Sequence, residues 1–493
     1  MTGISAIGTY LPRTRLSRSA IAAATGWLTP SARGADRGTR TLGFWDEDPV
    51  TMAVAAARLC LAGIAPGSRT IRALDFASTT APFAERQNAS LVHGALTLGE
   101  RCLTQDLAGT PRAALAALHR LLESGDSGLV VGADRPVAPA GSAAESRYGD
   151  GAAAALVDTD APLFLYEGGV STAAGFTDRY RAAGEPFATE WEERWVRDEA
   201  YGELLPETIA AALEAAGCAA DAIDHFVLAS PLPAIGSWVG RKAGLDRARI
   251  ADPLAEICGF TGCGHAFLML AAAMETIAPG DRILICQVGQ GATSLVLQAT
   301  ERVRTADTGF AREPADTILE TSYLKLPVFS GLLPWEKGLR GRSRMQEALT
   351  TASRYEPALL GFIGGRCRET GAVQFPPSRL SANRQHPALD TQDPYPLANV
   401  GGVIASRTAD ALAFSPAPPS CYGLVDFHGG GRLMMDFTDP DAATLAPGDE
   451  VRFVFRMKER DETTGYRRYF WKAVRACPAM TTRHAEERHA ERA

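Results

Sequence analysis

Asp106, Cys258, Cys263 and His265 are the side chains whose type and spacing first suggest chemistry. Asp106 stands in TQDLAGTPRAAL (104–115), ahead of a helix start cradled by small residues, where enzymes often put a nucleophile. A carboxylate there has two uses. At the bottom of an apolar tunnel it can serve as a general base or acid, its pKa raised by desolvation and lowered by a helix terminus. It can also cap: Thr110 at N-cap and Pro111 at N1 make a good helix start, where a carboxylate gains about 0.3–1 kcal/mol from the macrodipole. CGFTGCGH (258–265) gathers Cys258, Cys263 and His265. Its Cys-x4-Cys-x-His spacing resembles metal ligation only loosely, because a structural zinc takes four ligands. No metal is expected, and buried thiols acting as small apolar groups account for the cysteines. His265 is a candidate replacement acid/base, and His93 reads as a packing residue. GQGAT (289–293) suits close backbone approach at Gly289 and Gly291.

These residues need elements to hold them, and two segments echo one another. AGTPRAALAALHRLLESGDSGLVVGAD (108–134) runs from small residues through an Ala/Leu helix to Gly-Asp and a short apolar strand. TGCGHAFLMLAAAMETIAPGDRILICQVG (261–289) repeats that order. Near-continuous apolar strands such as SGLVVGA and RILICQVG belong in a sheet covered by helices on both faces. The echo predicts a duplicated α/β domain over 1–301, with halves of about 1–160 and 161–301. Residues 302–345 mix charge with Pro and Gly and read as a linker or docking arm. Within it KLPVFSGLLPWEKG (325–338) is too rich in Pro and Gly for a helix, yet apolar enough to dock. From 346 to 477 short strands separated by turn signals predict a small all-β barrel. The charged tail 478–493 lacks an apolar face and is expected to be disordered.

Composition narrows the function. The chain has 493 residues, 46% hydrophobic and 22% charged, with a formal net charge of -7 and a mean hydropathy of -0.06. No basic stripe interleaved with aromatics appears, which argues against nucleic acid. Nine scattered cysteines form no disulfide framework and fit a reducing cytosol. The N-terminal stretch lacks a sustained apolar core of a signal peptide, and no apolar run is long enough to span a bilayer. A cytoplasmic protein without membrane partners is expected.

Four motifs in order then carry a resemblance: ASTTAPFAERQNASLVHGALTLG (77–99), DLAGTPRAALAAL (106–118), RYGDGAAAALV (147–157) and PGDRILICQVGQGATSLVL (279–297). Together they resemble the thiolase superfamily, most closely 3-hydroxy-3-methylglutaryl-CoA synthase and ketoacyl synthase III, over residues 1–300. GFIGGRCRETGAVQFPPSR and GLVDFHGGGRLMMDF resemble OB-fold partner proteins with a zinc knuckle, here fused to the same chain. The resemblance implies an α/β fold, a duplicated αβαβα layered domain followed by an OB-fold barrel. It also implies a homodimer, acyl-CoA or acyl-carrier-protein thioesters as substrates, and no further cofactor.

The family's chemistry rests on a cysteine that takes the acyl group, with a histidine and an asparagine that move protons and hold the thioester oxygen. Matching QDLAGT to the family motif puts Asp106 on the cysteine position. The histidine position falls on Ala229 or Ser230, the asparagine position on Phe260 and the synthase acid on Thr79. Acyl-cysteine condensation is therefore not expected. The resemblance leaves carbon–carbon bond formation or cleavage with Asp106 as base, and Cys263, His265 and Ser230 as further catalytic candidates. Thr79, Phe260, Gly289 and Gly291 would line the substrate. A catalytically silent scaffolding subunit and an acyltransferase with another nucleophile stay open. In the barrel the knuckle reads Cys367, Arg368, Glu369, Thr370, with no second cysteine pair, so no zinc is expected there. Its hairpin GGGRLMMDF and Trp471 are expected over the tunnel mouth.

Overall fold

The computed structural model describes residues 2–29, 36–64, 70–190, 192–232, 234–311, 316–337 and 348–476. The tail 478–493, Cys477 and part of the arm (312–315 and 338–345) lie outside them. The chain divides into two units: Met1–Gly43, Asp48–His93 and Leu98–Leu326 form one, and Phe44–Glu47, Gly94–Thr97 and Pro327–Ala493 the other.

The first unit is built on a ten-stranded sheet. Its strands in chain order are β1 (Gly3–Tyr10), β2 (Ala73–Ala77), β3 (Leu103–Leu107), β4 (Gly128–Asp134), β5 (Gly151–Asp158), β6 (Phe164–Ala173), β7 (His225–Ala229), β8 (Arg249–Ile250), β9 (Arg282–Val288) and β10 (Gly291–Ala299). They lie in the order β8-β7-β9-β10-β6-β1-β5-β4-β2-β3. The order reads the same from either edge towards the centre. β1–β5 and β5–β4 are antiparallel while β4–β2 and β2–β3 are parallel. The second half repeats this: β6–β10 and β10–β9 antiparallel, β9–β7 and β7–β8 parallel. The halves meet where Gly3 and Ile4 of β1 pair with Leu165 and Phe164 of β6. That is the duplication expected from the sequence echo.

The echoing helices are α1 (Ala113–Ser124) and α2 (His265–Ala273). Both lie in one apolar core with residues of strands from both halves, Ile4, Val130 and Val157 among them on one side and Val227, Ile285 and Leu295 on the other. Every residue of α2 is buried, as its all-round apolar sequence requires. α1 ends at Gly125, whose φ of 71° makes the left-handed C-cap. Helices Pro49–Cys60 and Leu205–Ala215 pack on the other faces of the two halves. No described helix is long and apolar enough to cross a membrane.

Two expectations about the arm need correction. Ile318–Glu320 is a strand, parallel to Thr14–Ser17, and Lys325–Phe329 is a short helix despite Pro327. One turn is short enough to hold a proline, because its first N–H groups have no helical partner in any case.

In the second unit five antiparallel strands run in the order Arg432–Asp436, Ser420–Phe427, Gly402–Asp410, Glu450–Arg460, Arg467–Arg475. Phe362 organises its core, with rings of Phe375, Phe427, Phe453, Phe470 and Trp471 at 5.2–6.0 Å. Trp471 is buried there, its indole N–H donating to the Leu360 carbonyl at 2.7 Å. It is a core residue of this unit. Phe329 packs on Phe44 at 5.4 Å and Trp335 on Phe414 at 5.2 Å, contacts that lie within this second unit.

Candidate functional site

Asp134 ends β4 with no exposed surface. A charge so buried has to be answered by donors. Its Oδ1 accepts from Ser78 Oγ, Thr79 N, Thr79 Oγ1 and Thr80 Oγ1 at 2.7–3.1 Å, and its Oδ2 from Cys263 N at 2.8 Å. One carboxylate thus ties Thr79, from the first half, to Cys263, at the start of α2. The Oδ2 bond needs Gly262, because a Cβ there would stand 2.1 Å from Oδ2.

The approach to α1 is tied to the second half as well. Thr110 Oγ1 donates to the Gly289 carbonyl at 2.9 Å, as does Arg112 Nε at 3.1 Å, and Arg112 Nη1 donates to Thr293 Oγ1 at 3.0 Å. Gly289 is required by that approach: a Cβ would fall 2.3 Å from Thr110 Oγ1. The close contact expected of this glycine is therefore made to the protein's own Thr110.

A hairpin of Arg179–Tyr180 and Thr189–Glu190 completes the cluster. Arg179 Nη1 donates to the Tyr148 hydroxyl at 3.2 Å and lies 3.9 Å from Glu190, to which Tyr148 also donates. Burial pulls the Arg179 guanidinium down, but Tyr148, Glu190, Asp134 and Asp178 outweigh it and hold its pKa above the usual value. Tyr148 faces Phe260 with centroids 6.5 Å apart. On the other side Ser230 Oγ donates to Tyr201 at 2.9 Å, and Tyr201 feels the charges of Asp178, Arg179 and Glu190. Tyr201 belongs to a π-helical stretch, Arg197–Leu204, a wide turn frequent at functional sites. Asp178 lies in the fields of Arg112, Arg179 and Glu190. Burial raises its carboxyl pKa, against the backbone N–H and charge of Arg179.

The residues singled out from sequence fall in different places. Asp106 is exposed on the edge strand β3. Its carboxylate accepts from Asn88 N, Asn88 Nδ2 and Ala89 N at 2.7–2.9 Å. It caps helix Asn88–Leu96, neither the helix nor the buried tunnel floor that its motif suggested. His265 is fully buried: Nε2 meets the Pro253 carbonyl at 3.1 Å and Nδ1 meets Thr261 N and Oγ1 at 3.3 and 3.2 Å. Those partners fit a neutral ring with the proton on Nε2, and desolvation pulls its pKa down to about 4. Cys263 is buried with its thiol at 3.6 Å from the Thr110 carbonyl, and burial followed by Asp134 pushes its pKa well up. It is a poor source of thiolate. Phe260 lies between Tyr148 and His265, whose ring is at 5.0 Å. Gly291 (φ +127°) approaches the Thr172 carbonyl. Thr79, Cys263, Ser230, Phe260 and Gly289 thus gather around the Arg179 cluster, while Asp106 caps another helix.

Asp134, Arg112, Tyr148, Asp178, Arg179 and Glu190 were missed. Tyr148 stood in a motif read only for fold, and FTDRY (176–180) carries no spacing that marks it. In the second unit Cys367 is buried beside Thr391 Oγ1 at 3.1 Å, and hydrogen bonds with Thr370, Thr391 and Ser381 bring its pKa down to about 6. Hydroxyls surround the lone thiol of the expected knuckle. Among the described residues no group of three or more His, Cys, Asp or Glu is placed to hold a metal.

Known proteins match this architecture. Residues 390–456 match the family described as ChsH2, C-terminal OB-fold domain. The hydroxymethylglutaryl-CoA synthase of Aeropyrum pernix is 27% identical over 299 residues, which are 59% of this chain and 82% of that protein. Among solved structures, 3-oxoacyl-(acyl carrier protein) synthase III of Pseudomonas aeruginosa PAO1 superposes with a TM-score of 0.54 at 23% identity, covering 61% of this chain and 98% of that one. An HMG-CoA synthase complexed with CoA gives a TM-score of 0.59 at 17% identity, covering 70% and 94%. The first unit has the thiolase-like fold. The second carries an OB-fold domain, so the chain joins the two in one polypeptide.

Proposed function

We propose that this protein binds acyl thioesters of CoA or a carrier protein and forms or cleaves a carbon–carbon bond without an acyl-cysteine. The observation that carries the reading is the half-buried Arg179 cluster. The start of α1 through Arg112, the histidine position through Ser230 and Tyr201, and the asparagine position through Phe260 and Tyr148 all converge on it. Its cations suit a developing enolate oxygen. The names of the similar proteins, a CoA-ester synthase and an acyl-carrier-protein synthase, support the substrate class. All eight described cysteines are free, which fits a reducing cytosol. The full chain, incubated with acetyl-CoA and a second acyl-CoA, is expected to yield a coupled or cleaved product. Intact mass after acid quench is expected to show no acyl adduct. An acyl-protein adduct would replace this reading with acyl transfer.

A silent, scaffolding subunit is favoured by one set of contacts: Cys263 and His265 are held neutral and buried, and Thr110 closes on Gly289. Thioester binding without any turnover, together with stimulation of a separate condensing enzyme, would establish that role instead.

A further inference from the structure

Asp178 stands where no motif would place it, and the thioester reading above needs a proton acceptor that Asp106, Cys263 and His265 do not provide. Its Oδ1 is buried and has no hydrogen-bond partner among the described residues, although the backbone N–H groups of Arg179 and Asp178 bear on the carboxylate. A buried carboxylate oxygen without a donor is rare in folded proteins and calls for an explanation. The surroundings supply one. Arg112, next to the start of α1, and Arg179, on the hairpin, both bear on this carboxylate, and so does Glu190. The Gln290 side chain donates to the Arg179 carbonyl at 3.0 Å, which fixes the backbone immediately after Asp178.

We propose that Asp178 is the general base of this site, taking the proton from the carbon next to a thioester carbonyl. The inference rests on the thioester reading and deepens it. The carbon–hydrogen bond breaks, the proton goes to Asp178 Oδ1, and the electron pair delocalises onto the thioester oxygen, where Arg112 and Arg179 balance the charge. Return of a proton to carbon regenerates the thioester, so the step needs neither an oxidant nor a second substrate. Burial raises the Asp178 pKa, which makes its carboxylate a stronger base than a solvated one. The hairpin residues 181–186 that follow are exposed.

Exchange of the C2 protons of acetyl-CoA in deuterium oxide tests the step by mass spectrometry, with the full chain. Acetyl-CoA binding is measured separately by calorimetry. Wild type is expected to catalyse exchange. Asp178→Asn should lower the exchange rate by about 10²-fold or more while its acetyl-CoA affinity stays within about threefold. Asp178→Glu should restore part of the rate, and it guards against a loss that merely reflects misfolding of the Asn variant. Exchange unchanged in Asp178→Asn would overturn the assignment, as would wild type that binds acetyl-CoA without exchanging it. Wild type that fails to bind acetyl-CoA would remove the thioester reading itself, and this inference with it.

Discussion

At His265 a neutral, fully buried imidazole makes stability depend on pH. The folded pKa is about 4 against an ordinary 6.5. Between those values the unfolded chain binds more protons, so stability is lost as pH falls from about 6.5 through about 4. At pH 5 the loss from this group is on the order of 2 kcal/mol. Denaturant midpoints at pH 7.5 and pH 5 should differ in wild type and converge in His265→Gln. An equally large difference in that variant would assign the titration to another group. Asp106 has a different consequence. Its three hydrogen bonds to the first turn of helix Asn88–Leu96 predict that Asp106→Ala destabilises by about 1 kcal/mol and leaves thioester exchange unchanged. Loss of exchange without loss of stability would return Asp106 to the chemistry. Asp106→Cys is not expected to create a condensing enzyme, since it joins no histidine or asparagine at the matched positions Ala229, Ser230 and Phe260.

Edge strand β3 raises a question of assembly. Among the described residues no strand pairs with its outer edge, where Gln87 Nε2 donates to the Thr104 carbonyl at 2.6 Å, and Leu103 is 59% exposed. Exposed edges of this kind are templates for pairing with another strand. We expect a second copy of this chain to pair there, as the homodimer anticipated from sequence. Leu103→Lys should then shift the mass measured by light scattering from dimer to monomer, whereas a dimer untouched by it would place the interface elsewhere. The strands around Cys367 make a second prediction. Where the resemblance implied a zinc knuckle, hydroxyls of Thr370, Thr391 and Ser381 are the partners of one thiol. Elemental analysis should find no stoichiometric zinc, and a chelator should leave the melting temperature unchanged. One zinc per chain would refute this account of the knuckle.

Across the whole molecule the two units are not consecutive in the chain. Phe44–Glu47 belongs to the second unit although first-unit segments flank it. Within that unit Asp46 is fully buried, 2.8 Å from Lys472 Nζ and 3.8 Å from Arg456 Nε, and Thr438 Oγ1 donates to it at 2.7 Å. The Trp45 ring lies 4.4 Å from the same ammonium. Removing Asp46 leaves the Lys472 ammonium buried without its carboxylate, a loss of about 3–5 kcal/mol, while Arg456 keeps Glu47 and Asp439 at 3.0 and 3.1 Å. Asp46→Ala should therefore lower the urea midpoint of the second unit, followed by hydrogen exchange of the backbone amides of strand Arg467–Arg475. A change below about 1 kcal/mol would show that water enters and solvates the cations. The consequence reaches beyond the barrel's own sequence, because a residue 392 positions from Thr438 completes its core.

The sequence by itself determined the layered fold and its duplication. An apolar strand or an Ala/Leu helix has few ways to hide, and the repeated order of helix, Gly-Asp and strand at 108–134 and 261–289 carried the symmetry. The resemblance also led us to expect other residues at the family's catalytic positions. Which charged groups gather near those positions was decided only by tertiary structure. Asp106 fell on the family's cysteine position when QDLAGT was matched to its motif, yet its carboxylate faces the helix of residues 88–96, because the nearest free N–H groups lie there. Arg179 and Asp178 sit on a short hairpin with no periodicity, and their environment comes from Arg112, Tyr148, Glu190 and Tyr201, brought close by folding. Local sequence sets which face of an element is buried. The field at one carboxylate is a sum over charges distant in the chain, and only the folded geometry performs it.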